Sequence, residues 1–116
     1  MKSAKNKSLE ALESERQIED SNIQLKYRLY GHAPVQAEGT VRGQQLYFRA
    51  RYDEWTFAVA LSEEVDPAEI DFPEQGFFRQ GQYGRPKKSE ASYIPYDEAE
   101  AIIRRCSYEY VASEVK

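Results

Sequence analysis

The sequence predicts an α+β domain: a four-stranded antiparallel β-meander with one C-terminal amphipathic helix. Three observations carry this. Residues 44–61, QQLYFRARYDEWTFAVAL, alternate with period two on both sides of a polar break at Asp53-Glu54. Two earlier runs, 22–30 and 35–41, alternate in the same way. Residues 97–110 carry an apolar stripe at helical spacing.

The elements follow in chain order. Residues 1–20 read as a flexible or partly helical segment, apart from a single domain over 21–116. Ser8 is a plausible N-cap, and Leu9-Glu10-Ala11-Leu12-Glu13 is good helix sequence. Ile18 falls opposite Leu9 and Leu12 on a helical wheel, so this segment is loosely held. In strand 22–30, Ile23, Leu25, Tyr27 and Leu29 face inward, and Lys26, Arg28 and Tyr30 face outward. Gly31-His32-Ala33-Pro34 is a break. Strand 35–41 sets Val35, Ala37, Gly39 and Val41 against Gln36, Glu38 and Thr40, and Gly39 signals a bulge or a close approach. Arg42-Gly43 turns the chain into strands 45–52 and 55–61.

Asp66-Pro67-Ala68-Glu69 has the cap and proline of a helix start, and Phe72-Pro73 stops it after one turn. Residues 74–92 hold three glycines and no clean period. They read as a long loop, with Phe77-Phe78 the one candidate for a short strand. Asp97 caps the last helix, with Glu100 at its third position. Ala99, Ile102, Ile103, Cys106 and Tyr110 form its buried stripe, and Glu100 precedes Arg104 at ion-pair spacing.

Composition bounds the class. A chain of 116 residues with 41% hydrophobic and 31% charged residues suits one globular domain, not a disordered or membrane chain. No apolar run approaches the ~20 residues that span a bilayer. Residues 1–15 lack the apolar core of a secretory signal, and Cys106 is the only cysteine, so a cytoplasmic protein is expected. The net charge of −4 hides segregation: residues 61–74 carry six acids and no base, and 75–89 carry four bases and no acid.

No constellation for catalysis emerges. His32 is the only histidine and sits in a turn with no partner at nucleophile spacing. Cys106 lies on the apolar helix stripe and reads as a small hydrophobe. One Cys and one His are too few for zinc. The acids of 61–74 lack the spacing of a calcium loop. Gly76, Gly81 and Gly84 match no nucleotide fingerprint. A non-enzymatic protein with no cofactor and no metal is expected.

Two features point to binding. The first is the outward sheet face, where Lys26, Arg28, Tyr47, Arg49 and Arg51 mix cations with an aromatic. The second is the loop carrying Phe78, Arg79, Tyr83, Arg85, Lys87 and Lys88. Nine tyrosines in so short a chain suit interfaces, because Tyr joins a large apolar ring to a polar tip. The acidic stretches beside the loop would repel a polyanion and complement a mixed protein surface. The expected function is therefore binding of another protein or complex, as an adaptor, inhibitor or immunity-type factor of the kind phages and mobile elements carry. A homodimer is compatible with the same features. Nucleic acid on the basic sheet face is the second reading. A small anion held by Arg49 or Arg51 is the third. No membrane partner is expected.

Overall fold

The computed structural model describes residues 13–71 and 73–114. Six strands form one antiparallel sheet in chain order: β1 (Glu15–Asp20), β2 (Leu25–Tyr30), β3 (Val35–Val41), β4 (Gln44–Arg51), β5 (Glu54–Val59) and β6 (Phe77–Gln82). Helix α1 (Tyr96–Glu114) packs on one face.

All four expected strands are present, Val35–Val41 with its expected bounds and the other three with shifted ends. The start of β2 moves to Leu25 because Ser21–Ile23 forms a 3-10 turn. The Asp20 carboxylate caps that turn by accepting from the Asn22 N–H at 3.0 Å. Two edge strands correct the expectation. In place of a loosely held helical segment, Glu15–Asp20 pairs with β2 from Glu15↔Tyr30 to Asp20↔Leu25. The helical reading of residues 1–12 lies outside the described residues. Ile18 explains the change: it fits no helical stripe, but as an inward strand residue it is buried beside Tyr27. The loop expected over 74–92 contains β6, a full strand rather than a dipeptide. Its inward positions are Phe77, Arg79 and Gly81, opposite Val59, Phe57 and Trp55. An Arg and a Gly conceal the alternation. Gly81 lies against the Trp55 indole, where a Cβ would come within 2.6 Å of a ring carbon.

The inward face is the core. Leu29, Ala37, Phe48 and Phe57 form one cross-strand row, and Tyr27, Gly39, Leu46, Val59 and Phe77 form the next. The α1 stripe of Ala99, Ile103, Cys106, Tyr110 and Val111 buries against them. Phe77 meets the edges of Phe57 and Tyr110, with centroids at 6.2 and 5.3 Å. α1 starts one residue before the expected cap. The Pro95 carbonyl accepts from the Glu98 and Ala99 N–H groups, both at 3.0 Å, so Asp97 sits in the first turn. There its carboxylate takes Arg16 at 2.8 Å. The expected Glu100–Arg104 pair forms at 3.6 Å.

α1 covers only the inward face. The other face is partly covered by the segment between β5 and β6. Ala58, Ala60, Ile70 and Phe78 make a second, smaller core there, with Val65 packed against it. Asp66 caps the 3-10 turn Pro67–Glu69 by accepting from the Ala68 N–H at 2.9 Å, as the sequence suggested.

Gly39 forms no bulge; the β2–β3 register runs unbroken through Tyr27↔Gly39. Tyr27 fills the space above it. A Cβ at Gly39 would strike the Lys26 carbonyl and lie 2.5 Å from Tyr27 Cα. Gly39→Ala should therefore cost about 3 kcal/mol, as overpacking does. Urea denaturation checks this, and an unchanged midpoint would contradict it.

Candidate functional site

The nine residues singled out from the sequence fall in three places. Tyr47, Arg49 and Arg51 lie together on the open face of the sheet. Phe78 lies on the same face but is buried in the second core, so it is not an exposed anchor. Arg79 points to the opposite face. Its Nε donates to Glu109 on α1 at 3.1 Å, its Nη1 donates to the Phe78 carbonyl at 3.0 Å, and its guanidinium lies 4.2 Å over the Phe77 ring. Tyr83, Arg85, Lys87 and Lys88 lie beyond β6, in the loop before α1.

That loop is built on the β4–β5 turn. The Asp53 carboxylate accepts from the Lys87 N–H at 2.7 Å and the Ser89 N–H at 2.9 Å. The Tyr52 carbonyl accepts from the Ala91 N–H at 2.9 Å, and the Ser92 hydroxyl accepts from the Tyr52 N–H at 2.8 Å. The two most promising side chains are already engaged. Arg85 Nη2 pairs with Glu90 at 2.5 Å, which holds the Glu90 carboxyl below its usual range. The Tyr83 hydroxyl donates to Glu98 at 2.5 Å. That bond, more than burial, pushes the phenol up to about 12. Only Lys87 and Lys88 form no ion pair among the described residues.

The open face is organised by cross-strand rows. One row runs Gln17, Arg28, Glu38, Tyr47, Ala58; the next runs Glu15, Tyr30, Gln36, Arg49, Thr56. Two tyrosines anchor it. The Tyr30 hydroxyl donates to Glu38 at 2.5 Å, and the Arg28 guanidinium lies 4.0 Å over its ring. The Tyr47 hydroxyl donates to Gln36 at 2.5 Å. Burial is the main cause that raises both phenols above the ordinary range, with the Glu38 hydrogen bond adding at Tyr30.

Two cations of this face are matched by acids. Lys26 pairs with Glu19 at 3.6 Å and Arg28 with Glu15 at 3.8 Å. Arg51 stands opposite Glu54 in the register but forms no ion pair among the described residues, and its guanidinium lies 5.1 Å from the Tyr52 ring. Arg49 differs. Its neighbours across the strands are Gln36 and Thr56, and it forms no ion pair among the described residues. Beside Tyr47 a groove of about 520 Å³ opens between the sheet and the capped turn, lined by Glu38, Gln45, Tyr47, Asp66, Pro67 and Ala68. Outward orientation was readable from alternation. The pairing of each Arg or Lys with a particular acid was not, because those acids come from other strands.

The remaining chemistry is dispersed. His32 stacks on Tyr96 with centroids at 5.4 Å, and its Nε2 lies 3.0 Å from the Glu13 carbonyl. Cys106 is buried in α1, and burial pushes its thiol up to about 11. Among the described residues, no three His, Cys, Asp or Glu side chains converge as metal ligands do. Among the described residues, no helix is long and apolar enough to cross a membrane.

Two outcomes follow. Asp53→Ala should cost about 1–2 kcal/mol, since two N–H bonds to a carboxylate are lost. It should also speed tryptic cleavage after Lys87 and Lys88; cleavage at the wild-type rate would mean the tether does not hold the loop. Cys106 should resist alkylation at pH 8, well below its thiol pKa, until the chain is denatured. Rapid labelling of the native protein would contradict its burial.

Comparison with protein-family models, with curated proteins and with solved structures finds no match, so function rests on the geometry of this surface.

Proposed function

We propose that this domain binds another protein through the open face of its sheet, with Tyr47 and Arg49 at the centre of the contact. It acts as an adaptor, inhibitor or immunity-type factor, by occupying a partner's surface. A cytoplasmic setting fits a single unpaired thiol.

One observation carries the reading. Lys26, Arg28 and Arg51 each face a carboxylate, while Arg49 sits between uncharged Gln36 and Thr56. A face of Tyr, Arg, Glu and Gln around an Arg with no carboxylate opposite it suits a protein partner of mixed charge. It suits a polyanion less, because Glu15, Glu19, Glu38 and Glu54 would stand among the phosphates. Tyr47 and Tyr30 are held by hydrogen bonds, so they are ordered before contact. The reading for a small anion has the least support. The depression shared by Arg49, Arg51 and Thr56 holds about 80 Å³, and Glu54 lines it too.

The test compares wild-type with Tyr47→Ala/Arg49→Glu as baits in extract of the source organism, with and without nuclease. A nuclease-resistant protein should be captured by wild-type. Its affinity for the variant should fall roughly 30-fold, as loss of a hot spot of about 2 kcal/mol implies. Capture that vanishes with nuclease, or salt-sensitive binding of a single-stranded oligonucleotide, would move nucleic acid to first place.

A further inference from the structure

We propose that two copies of this chain pair through the outer edge of β6, antiparallel about a two-fold axis at Gln80, to make one continuous sheet. The inference stands apart from the reading of the open face.

The backbone of β6 supplies the chemistry. The Tyr83 N–H donates to the Asp53 carbonyl at 2.9 Å, extending the β5–β6 ladder. Bonded and non-bonded pairs alternate in an antiparallel ladder. Gly81, Arg79 and Phe77 are therefore bonded to β5, and Phe78, Gln80 and Gln82 turn their N–H and C=O groups outward. Among the described residues, only the Arg79 guanidinium reaches this edge, at the Phe78 carbonyl. A row of free donors and acceptors at strand spacing is a template for another strand.

Charge selects the occupant. Among the described residues the sheet's other outer edge is on β1, where the Gly31 N–H to Ser14 carbonyl bond fixes the phase and Glu15, Gln17 and Glu19 turn outward. Two copies joined there about Gln17 would set Glu15 against Glu19, and like charges directly opposite are unfavourable. On β6, a two-fold axis at Gln80 sets Gln80 against Gln80, Phe78 against Gln82, and Arg79 against Gly81. No like charges stand directly opposite. The Trp55 indole already fills the space over Gly81, so the Arg79 guanidinium has only to release the Phe78 carbonyl and stays over Phe77, beside Glu109. The outward groups of residues 78, 80 and 82 all find partners, each pair exchanging both of its N–H···O bonds. Such an isologous contact closes on itself and stops at two copies. The axis is perpendicular to the sheet, so both α1 helices lie on one side. The groove of about 490 Å³ between β6 and α1, lined by Trp55, Ile102, Arg105 and Glu109 among others, then meets its counterpart. The two open faces join on the other side.

Sedimentation of the full chain over a hundredfold range of concentration tests this. The mass should rise with concentration from 13.5 kDa to twice that value. Gln80→Lys places like charges at the axis, and Gln80→Pro removes an outward N–H without touching the β5 ladder. Each should weaken pairing at least tenfold, while Glu19→Gln on β1 should leave it unchanged. Circular dichroism confirms that the variants fold, and Gln80→Lys decides if Gln80→Pro does not. A mass of 13.5 kDa throughout would overturn the proposal, as would a dimer that folded Gln80→Lys leaves intact.

Discussion

One helix can bury only one face of a six-stranded sheet, and the rest of this molecule follows from that. The apolar stripe of α1 meets the inward residues of β2 to β5, and the driving force is removal of that surface from water. At the margins of the sheet the row of Leu29, Ala37, Phe48 and Phe57 ends in cations instead of apolar groups. Arg16 on β1 reaches Asp97 and Glu100 near the start of α1, each at 2.8 Å. Arg79 on β6 reaches Glu109 farther along it. The edge strands are therefore fastened to the helix by charge where hydrophobic contact runs out. Ion pairs of this exposure contribute little each, so their role is orientation more than stability.

The second consequence is the open face. The segment between β5 and β6 covers one corner of it, through Ile70 and Phe78 on Ala58 and Ala60. The remainder stays polar, and its order comes from cross-strand neighbours. Tyr30, Glu38, Tyr47 and Gln36 form two hydrogen-bonded pairs on adjacent strands. Rings fixed in this way present apolar area with little rotamer freedom left to lose on contact.

Charge segregation along the chain becomes segregation in space. The acidic segment leaves β5 at one end of the sheet, and the basic loop returns from β6 at the other. In the basic loop, backbone tethers to Asp53, Tyr52 and Ser92 hold the chain on the β4–β5 turn. Arg85 and Tyr83 are consumed in holding it there, which leaves Lys87 and Lys88 as its free cations among the described residues. A loop whose composition looks like a binding motif is thus in good part a structural clasp.

Alternation and helical spacing are properties of neighbouring residues, so β2 to β5, their inward sets and the stripe of α1 were legible in the order of the residues. Tyr47, Arg49 and Arg51 were placed correctly on the outward face for the same reason. Strand β1 has one inward apolar residue, Ile18, and β6 has an Arg and a Gly where a core strand would carry aliphatics. Neither could be read locally, because each is held by partners far along the chain: Tyr27, Trp55 and the acids of α1. Whether a given cation was free or spent was equally a matter of distant contacts. Arg49 stands unpaired because β3 and β5 bring Gln36 and Thr56 beside it, and Arg79 is spent because α1 brings Glu109. Which face the helix takes, which edges stay open and which charges stay available depend on packing between segments distant in sequence, and only the folded chain brings those segments together.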